Sequence, residues 1–225
     1  MAASEYIYGA KARREDISRF IVHLTKDFEG RPAPANLLSI LETHTIYARN
    51  HYCLFENKLK EHPTEIREKF YVACMTETPL NQVKNMFNIE VRAVNFKPYG
   101  IVFNKSDIED SYYGSPCIYA NGKNKDMIKA YWEMFKSSKA NSFADGFPQI
   151  GALIHMFNKD KDFDFSWERE WRVLGDSDFK PQDVIAIISE DNTFKVPDEY
   201  RHAPLINPEW GYEEMILRIA RQSLK

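Results

Sequence analysis

The stretch Arg19-Phe20-Ile21-Val22-His23-Leu24-Thr25 decides the fold class. Across Ile17 to Thr25, Phe20, Val22 and Leu24 fall on one side, while Arg19, Ile21, His23 and Thr25 fall on the other. A period of two in β-branched and aromatic residues predicts a β-strand. Downstream, Pro34 suits the first turn of a helix that carries Leu37, Leu38, Ile40 and Leu41 on one stripe. Residues 50 to 68 are polar and helical in part. Phe70 to Thr76 reads as a second strand, with Phe70, Val72, Cys74 and Thr76 on one face and Tyr71, Ala73 and Met75 on the other. Thr78-Pro79 then reads as a helix start, the threonine as cap and the proline at the first helical position.

Tyr99 to Phe103 and Pro116 to Ala120 are short strand candidates, separated by Ser111-Tyr112-Tyr113-Gly114. Asn124 to Lys136 predicts a helix with Met127, Ile128, Tyr131 and Phe135 on its apolar side. Phe147 to Phe157 is rich in apolar residues and reads as a buried helix. Glu168 to Leu174 and Asp183 to Ile188 read as strands, and Pro208 opens a C-terminal helix containing Met215, Ile216, Ile219 and Ala220. Strands occur early, in the middle and late, without clean βαβ alternation. The expectation is an α+β fold, a bent mixed or largely antiparallel sheet with helices packed around it. The 225 residues contain no internal repeat and no Pro/Gly/Ser linker, so a single domain spanning 1–225 is expected.

Composition excludes several classes. Hydrophobic residues make up 44% and charged residues 28%, as in ordinary globular proteins. The formal net charge of -3 provides no overall basic field for nucleic acid, although 30 Lys and Arg residues leave room for a local patch. Cys53, Cys74 and Cys117 lack C-x-x-C spacing, which argues against a disulfide framework or zinc knuckle and for reduced core thiols. Met1 to Gly9 lacks a basic-then-apolar leader pattern, and no apolar run approaches a membrane span. A cytoplasmic protein without membrane partners is expected.

Common catalytic motifs are missing from the sequence. There is no G-x-x-x-x-G-K-[ST], no G-x-G-x-x-G, no G-x-S-x-G and no H-E-x-x-H. His23, His44, His51, His62, His155 and His202 form no familiar ligand pair, so no metal cofactor is expected.

The densest polar cluster is Trp167-Glu168-Arg169-Glu170-Trp171-Arg172. As a strand it would put Glu168, Glu170 and Arg172 on one face and Trp167, Arg169, Trp171 and Val173 on the other. Charges in a row must pair if they are buried. A solvated edge strand with Glu–Arg pairs fits this pattern. So does a carboxylate held ionised in a cleft, able to stabilise positive charge on a sugar. His23 offers a hydrogen-bond partner for a ligand hydroxyl, with Thr25 on its face, or is an ordinary strand histidine. Cys74-Met75-Thr76-Glu77-Thr78-Pro79-Leu80 ends a strand in hydroxyl and carboxyl groups, which either cap a helix or line a site; Glu77 suits the helix dipole.

These segments, with Ile46-Tyr47-Ala48-Arg49 and Tyr99-Gly100-Ile101-Val102-Phe103, resemble the AbiGi-type abortive-infection family of bacteria over roughly residues 18 to 190. The W-E-R-E-W-R run is the most specific element. The resemblance implies phage resistance and carries an antitoxin label. A looser resemblance is to ADP-ribosyltransferases, including DarT-like toxins. It implies an early strand residue for the NAD ribose, a middle hydroxyl or aromatic residue, and a late catalytic glutamate in E-x-E. On this resemblance Glu170 and Glu168 are the catalytic candidates, and His23, Thr25, Thr76 and Arg172 the NAD-binding ones. The middle segment has no S-T-S triplet.

Three functions follow as expectations. The first is NAD cleavage with transfer of ADP-ribose to a nucleic acid or protein. The second is a non-enzymatic antitoxin or regulator that binds a toxin partner or nucleic acid. The third is a nuclease using Glu168 and Glu170 with a divalent ion, for which a third spaced carboxylate is missing.

Overall fold

The structure, a computed structural model, describes residues 14, 16–87, 89, 95–157 and 164–222. In chain order the elements are β1 (Phe20–Lys26), α1 (Ala33–Thr43), β2 (Thr45–Ile46), α2 (Glu56–Leu59), α3 (Thr64–Arg67), β3 (Val72–Thr76), β4 (Phe96–Asn104) and α4 (Lys105–Asp110). There follow β5 (Ser115–Pro116), β6 (Ile118–Asn121), α5 (Lys125–Ala140), α6 (Phe147–Gly151), β7 (Ile154–Phe157), β8 (Glu170–Leu174), β9 (Ser177–Asp178), β10 (Val184–Ser189), β11 (Leu205–Ile206) and α7 (Tyr212–Gln222). The class is α+β with a mixed sheet and helices. Residues group into two compact units, one from Met1–His44, Thr76–Ile108 and Lys180–Lys225, the other from Thr45–Met75 and Glu109–Phe179. The chain passes between units within β3 and within α4 as well as next to α1 and β9, which is why no linker composition marks the crossings.

In the first unit the strand order is β11-β10-β4-β1. β1 and β10 pair antiparallel with β4, and β11 runs parallel to β10. Ile21, His23 and Thr25 share one face of β1. Thr25 Oγ1 donates to the Ala33 carbonyl at the start of α1, so α1 covers this face. Pro32 at the helix start has no side-chain donor or acceptor to offer, and the Asp27 carboxylate accepts the Ala33 N–H at 2.8 Å instead. The opposite face carries Val22, Leu24, Val102, Ala186 and Ile188, packed with Val83, Met86 and Met215. Gly100 lies opposite Leu24, and a Cβ there would come within 2.5 Å of the His23 carbonyl oxygen. Only glycine permits that approach.

In the second unit β8 lies between β3 and β5, and β6 pairs parallel with β7 through Tyr119↔His155. Phe55, Phe70, Phe135, Phe143 and Phe147 form its aromatic core. Phe55 stacks on Phe135 at 4.8 Å, and Phe70 meets Phe143 edge-on at 5.2 Å. Asn124 caps α5 by accepting the Met127 N–H.

Four local expectations change. Phe147 to Phe157 is a five-residue helix followed by β7; a mostly apolar run hid the change of period. Pro116 to Ala120 divides at Cys117 into β5 and β6, which pair with different partners. Thr78-Pro79 precedes a 3-10 segment, Leu80–Met86, and Thr78 does not cap it. Its hydroxyl instead engages Thr76 Oγ1 and the Met86 sulfur. Glu168 to Leu174 begins its strand only at Glu170.

Candidate functional site

The site is built on β8. Ser166–Glu168 forms a 3-10 turn, and Arg169 takes a left-handed φ of 48° before the strand starts. That twist breaks the expected alternation, so Glu168 does not share a strand face with Glu170. Glu168 is buried in the turn and Trp167 is 44% exposed. From Glu170 onward the period of two holds: Glu170 and Arg172 take one face, Trp171 and Val173 the other.

Arg172 is among the largest fully buried side chains. Its Nη2 donates to Glu170 Oε2 at 2.8 Å and its Nη1 to the Ala152 carbonyl at 2.6 Å. Ala152 ends α6, so the guanidinium satisfies a helix-terminal carbonyl while it pairs with the carboxylate. The side chain of Glu170 retains 14% exposure. Burial pushes its pKa up, but the charge and hydrogen bond of Arg172, the Cys74 thiol and His155 outweigh burial and hold it below the usual glutamate value. The carboxylate is therefore ionised although largely buried.

Burial, followed by the Arg172 charge, lowers the His155 pKa, and the ring lies edge-on to Tyr119 and Phe165. Tyr119 accepts the Glu170 backbone N–H through its hydroxyl at 3.0 Å. All three cysteines are free. Burial raises Cys53 to about 11 and Cys117 to about 12, and it raises Cys74 well above the ordinary thiol value. None is a thiolate nucleophile at neutral pH.

No family model, curated protein or solved structure matches the chain.

The remaining expected residues are placed differently. His23 and Thr76 belong to the first unit; Glu168, Glu170 and Arg172 belong to the second. His23 lies on the α1 face of β1. Thr76 is registered opposite Val22, and cross-strand partners point the same way, so Thr76 lies on the other face from His23. The register therefore does not bring His23 and Thr76 together to line one surface. Their hydroxyl companions are also engaged within the fold. Thr25 Oγ1 contacts the Ala33 and Tyr99 carbonyls at 3.2 and 3.1 Å. Thr76 Oγ1 accepts the Thr78 N–H at 3.0 Å. Glu77, read as a dipole partner, is ion-paired with Lys105 at 2.9 Å.

Sequence reasoning missed His155, Tyr119 and Cys74 as surroundings of Glu170. The alternation of Ile154, His155, Met156 and Phe157 was the available signal for His155. Leu174, farther along the Glu170 face, borders an open groove of about 440 Å³ together with Lys69, Phe143, Pro148 and Gly175. Neither Glu170 nor Arg172 lines that groove. Among the described residues no group of three or more His, Cys, Asp or Glu side chains is arranged to hold a metal ion. No described helix is long and apolar enough to cross a membrane.

Proposed function

We propose that the chain is an ADP-ribosyltransferase-like protein of bacterial phage defence, with Glu170 as its charge-stabilising carboxylate. The observation that carries this reading is the ionised, largely buried Glu170, locked by Arg172. Cleaving the nicotinamide–ribose bond sends the bonding electrons to nicotinamide and leaves oxocarbenium-like charge at the ribose carbon. A fixed anion stabilises that charge without reorganising. A nucleophile on a nucleic acid or protein then forms the new bond to the same carbon and releases its proton to solvent. Arg172 keeps the carboxylate charged and holds one of its oxygens, and Glu168, buried in the preceding turn, supports the local structure. His23, on the α1 face of β1 in the other compact unit, is not assigned to this carboxylate site. Thr25 and Thr76 are assigned structural roles, because their hydroxyls are engaged within the fold.

Labelled NAD tests the reading. Nicotinamide release is expected from the wild type and about 100-fold less from folded Glu170→Gln. Absence of NAD binding and turnover, with nucleic-acid and protein acceptors supplied, would sink it.

A second reading, a non-enzymatic antitoxin or regulator, draws on the C-terminal helix, where Tyr212, Ile216 and Leu217 are exposed. Co-expression with a neighbouring toxin would rescue growth under this reading. Toxicity of the chain alone, lost on Glu170→Gln, would remove it.

A further inference from the structure

Arg172 reaches Glu170 through Oε2 at 2.8 Å. One donor does not fix the plane of a carboxylate, because rotation about the terminal torsion is soft. A second restraint lies next to it. Asn50 Nδ2 approaches Cys74 Sγ at 3.6 Å, and the Cys74 side chain hydrogen-bonds the Glu170 carboxylate. The direction of each bond is determined. An ionised carboxylate only accepts, so the thiol must donate to it, leaving the sulfur to accept from the amide. The amide is oriented in turn, since Asn50 Oδ1 accepts the Tyr52 N–H at 3.3 Å. The Asn50 backbone is tied to β3 by the Val72 N–H, which donates to the Asn50 carbonyl at 3.0 Å.

We propose that Cys74 is a positioning residue for Glu170: its protonated thiol, oriented by Asn50, is the second donor that fixes the carboxylate. The role rests on Glu170 as the working group proposed above, but it is read independently of turnover. The relay runs from Asn50 to Cys74 to Glu170, and Arg172 closes it against the Ala152 carbonyl. Burial keeps the thiol protonated, so it acts as a donor and never as a nucleophile.

Carboxyl-labelled glutamate NMR on the full chain, titrated with acid, tests this. Cys74→Ser keeps an O–H donor, and its Glu170 midpoint is expected to stay depressed. Cys74→Ala removes the donor, and its midpoint is expected to rise. Asn50→Leu, which frees the sulfur without deleting it, is expected to raise the midpoint by a smaller amount and serves if Cys74→Ala does not fold. An unchanged midpoint in folded Cys74→Ala, or in Asn50→Leu if the alanine variant is lost, overturns the role. A raised midpoint in a protein that never turns over NAD supports the positioning role while removing the proposed function.

Discussion

Among the described residues each compact unit contains a largely buried ion pair, and the two are built differently. In the second unit Glu170 and Arg172 are two residues apart on one strand face, and the guanidinium is 2% exposed. Arg172 also has a fixed second contact at the Ala152 carbonyl. In the first unit Glu77 and Lys105 come from separate segments, with side chains 11% and 15% exposed. Lysine contributes a compact charge on a flexible stem, whereas arginine brings a planar fork that can bridge two acceptors. The Arg172 pair therefore holds one carboxylate oxygen against a guanidinium that is itself anchored, a start on orientation, and the Lys105 pair gives a tie between segments. Orientation is what a charge-stabilising role requires.

The largest expected effect comes from Arg172→Met. It leaves a buried, unpaired carboxylate and should cost about 3–5 kcal/mol in denaturant unfolding at neutral pH. The pH dependence has a definite sign. The wild-type Glu170 pKa is depressed in the folded state, so its stabilisation is fully present above the ordinary glutamate value. It fades as pH falls through the depressed folded value. In Arg172→Met, burial loses its main opponent and only lesser ones such as the Cys74 thiol remain, so the Glu170 pKa rises and the variant's deficit should shrink on acidification. A deficit that is constant with pH would show that Arg172 acts through packing alone.

Lys105→Met should cost less, about 1–3 kcal/mol, because the Lys105 side chain is 15% exposed where that of Arg172 is 2% exposed, so a more solvent-screened charge is removed. The same denaturation series compares the two directly. A loss equal to or above that of Arg172→Met would break the distinction between an oriented pair and a tie. The smallest effect is expected from Thr25→Val, about 1 kcal/mol, for the hydroxyl contacts to the Ala33 and Tyr99 carbonyls. Hydrogen exchange at the start of α1 should rise with it. Unchanged exchange there would return Thr25 to consideration as a ligand-facing residue.

Elements whose own side chains alternate were legible. β1 kept its two faces, each buried against different elements, and α1 buries Leu37 and Leu41 of the expected stripe while Leu38 and Ile40 are half-buried; the second strand starts at Val72, with Phe70 in a 3-10 segment instead. Mostly apolar sequence was not legible: in Phe147 to Phe157 the two polar residues Gln149 and His155 are too few to mark where the helix gives way to the strand. Nor was the break at Arg169, since a left-handed non-glycine residue leaves no composition signal. Glu170 and Arg172 were readable as a pair because they are strand neighbours on one face. Cys74 and His155 were not readable as their surroundings, since the chain brings them there from 96 and 15 residues upstream.

The sequence by itself determined the α+β class, the strand faces and the Glu170–Arg172 pairing, all of which follow from spacing within a few residues. Only the tertiary structure decided which charges are buried, which hydroxyls are already engaged and which face each polar residue takes. Register and long-range packing fix those features. A shift of one residue in the pairing would have exchanged the faces of Thr76 without altering any local preference.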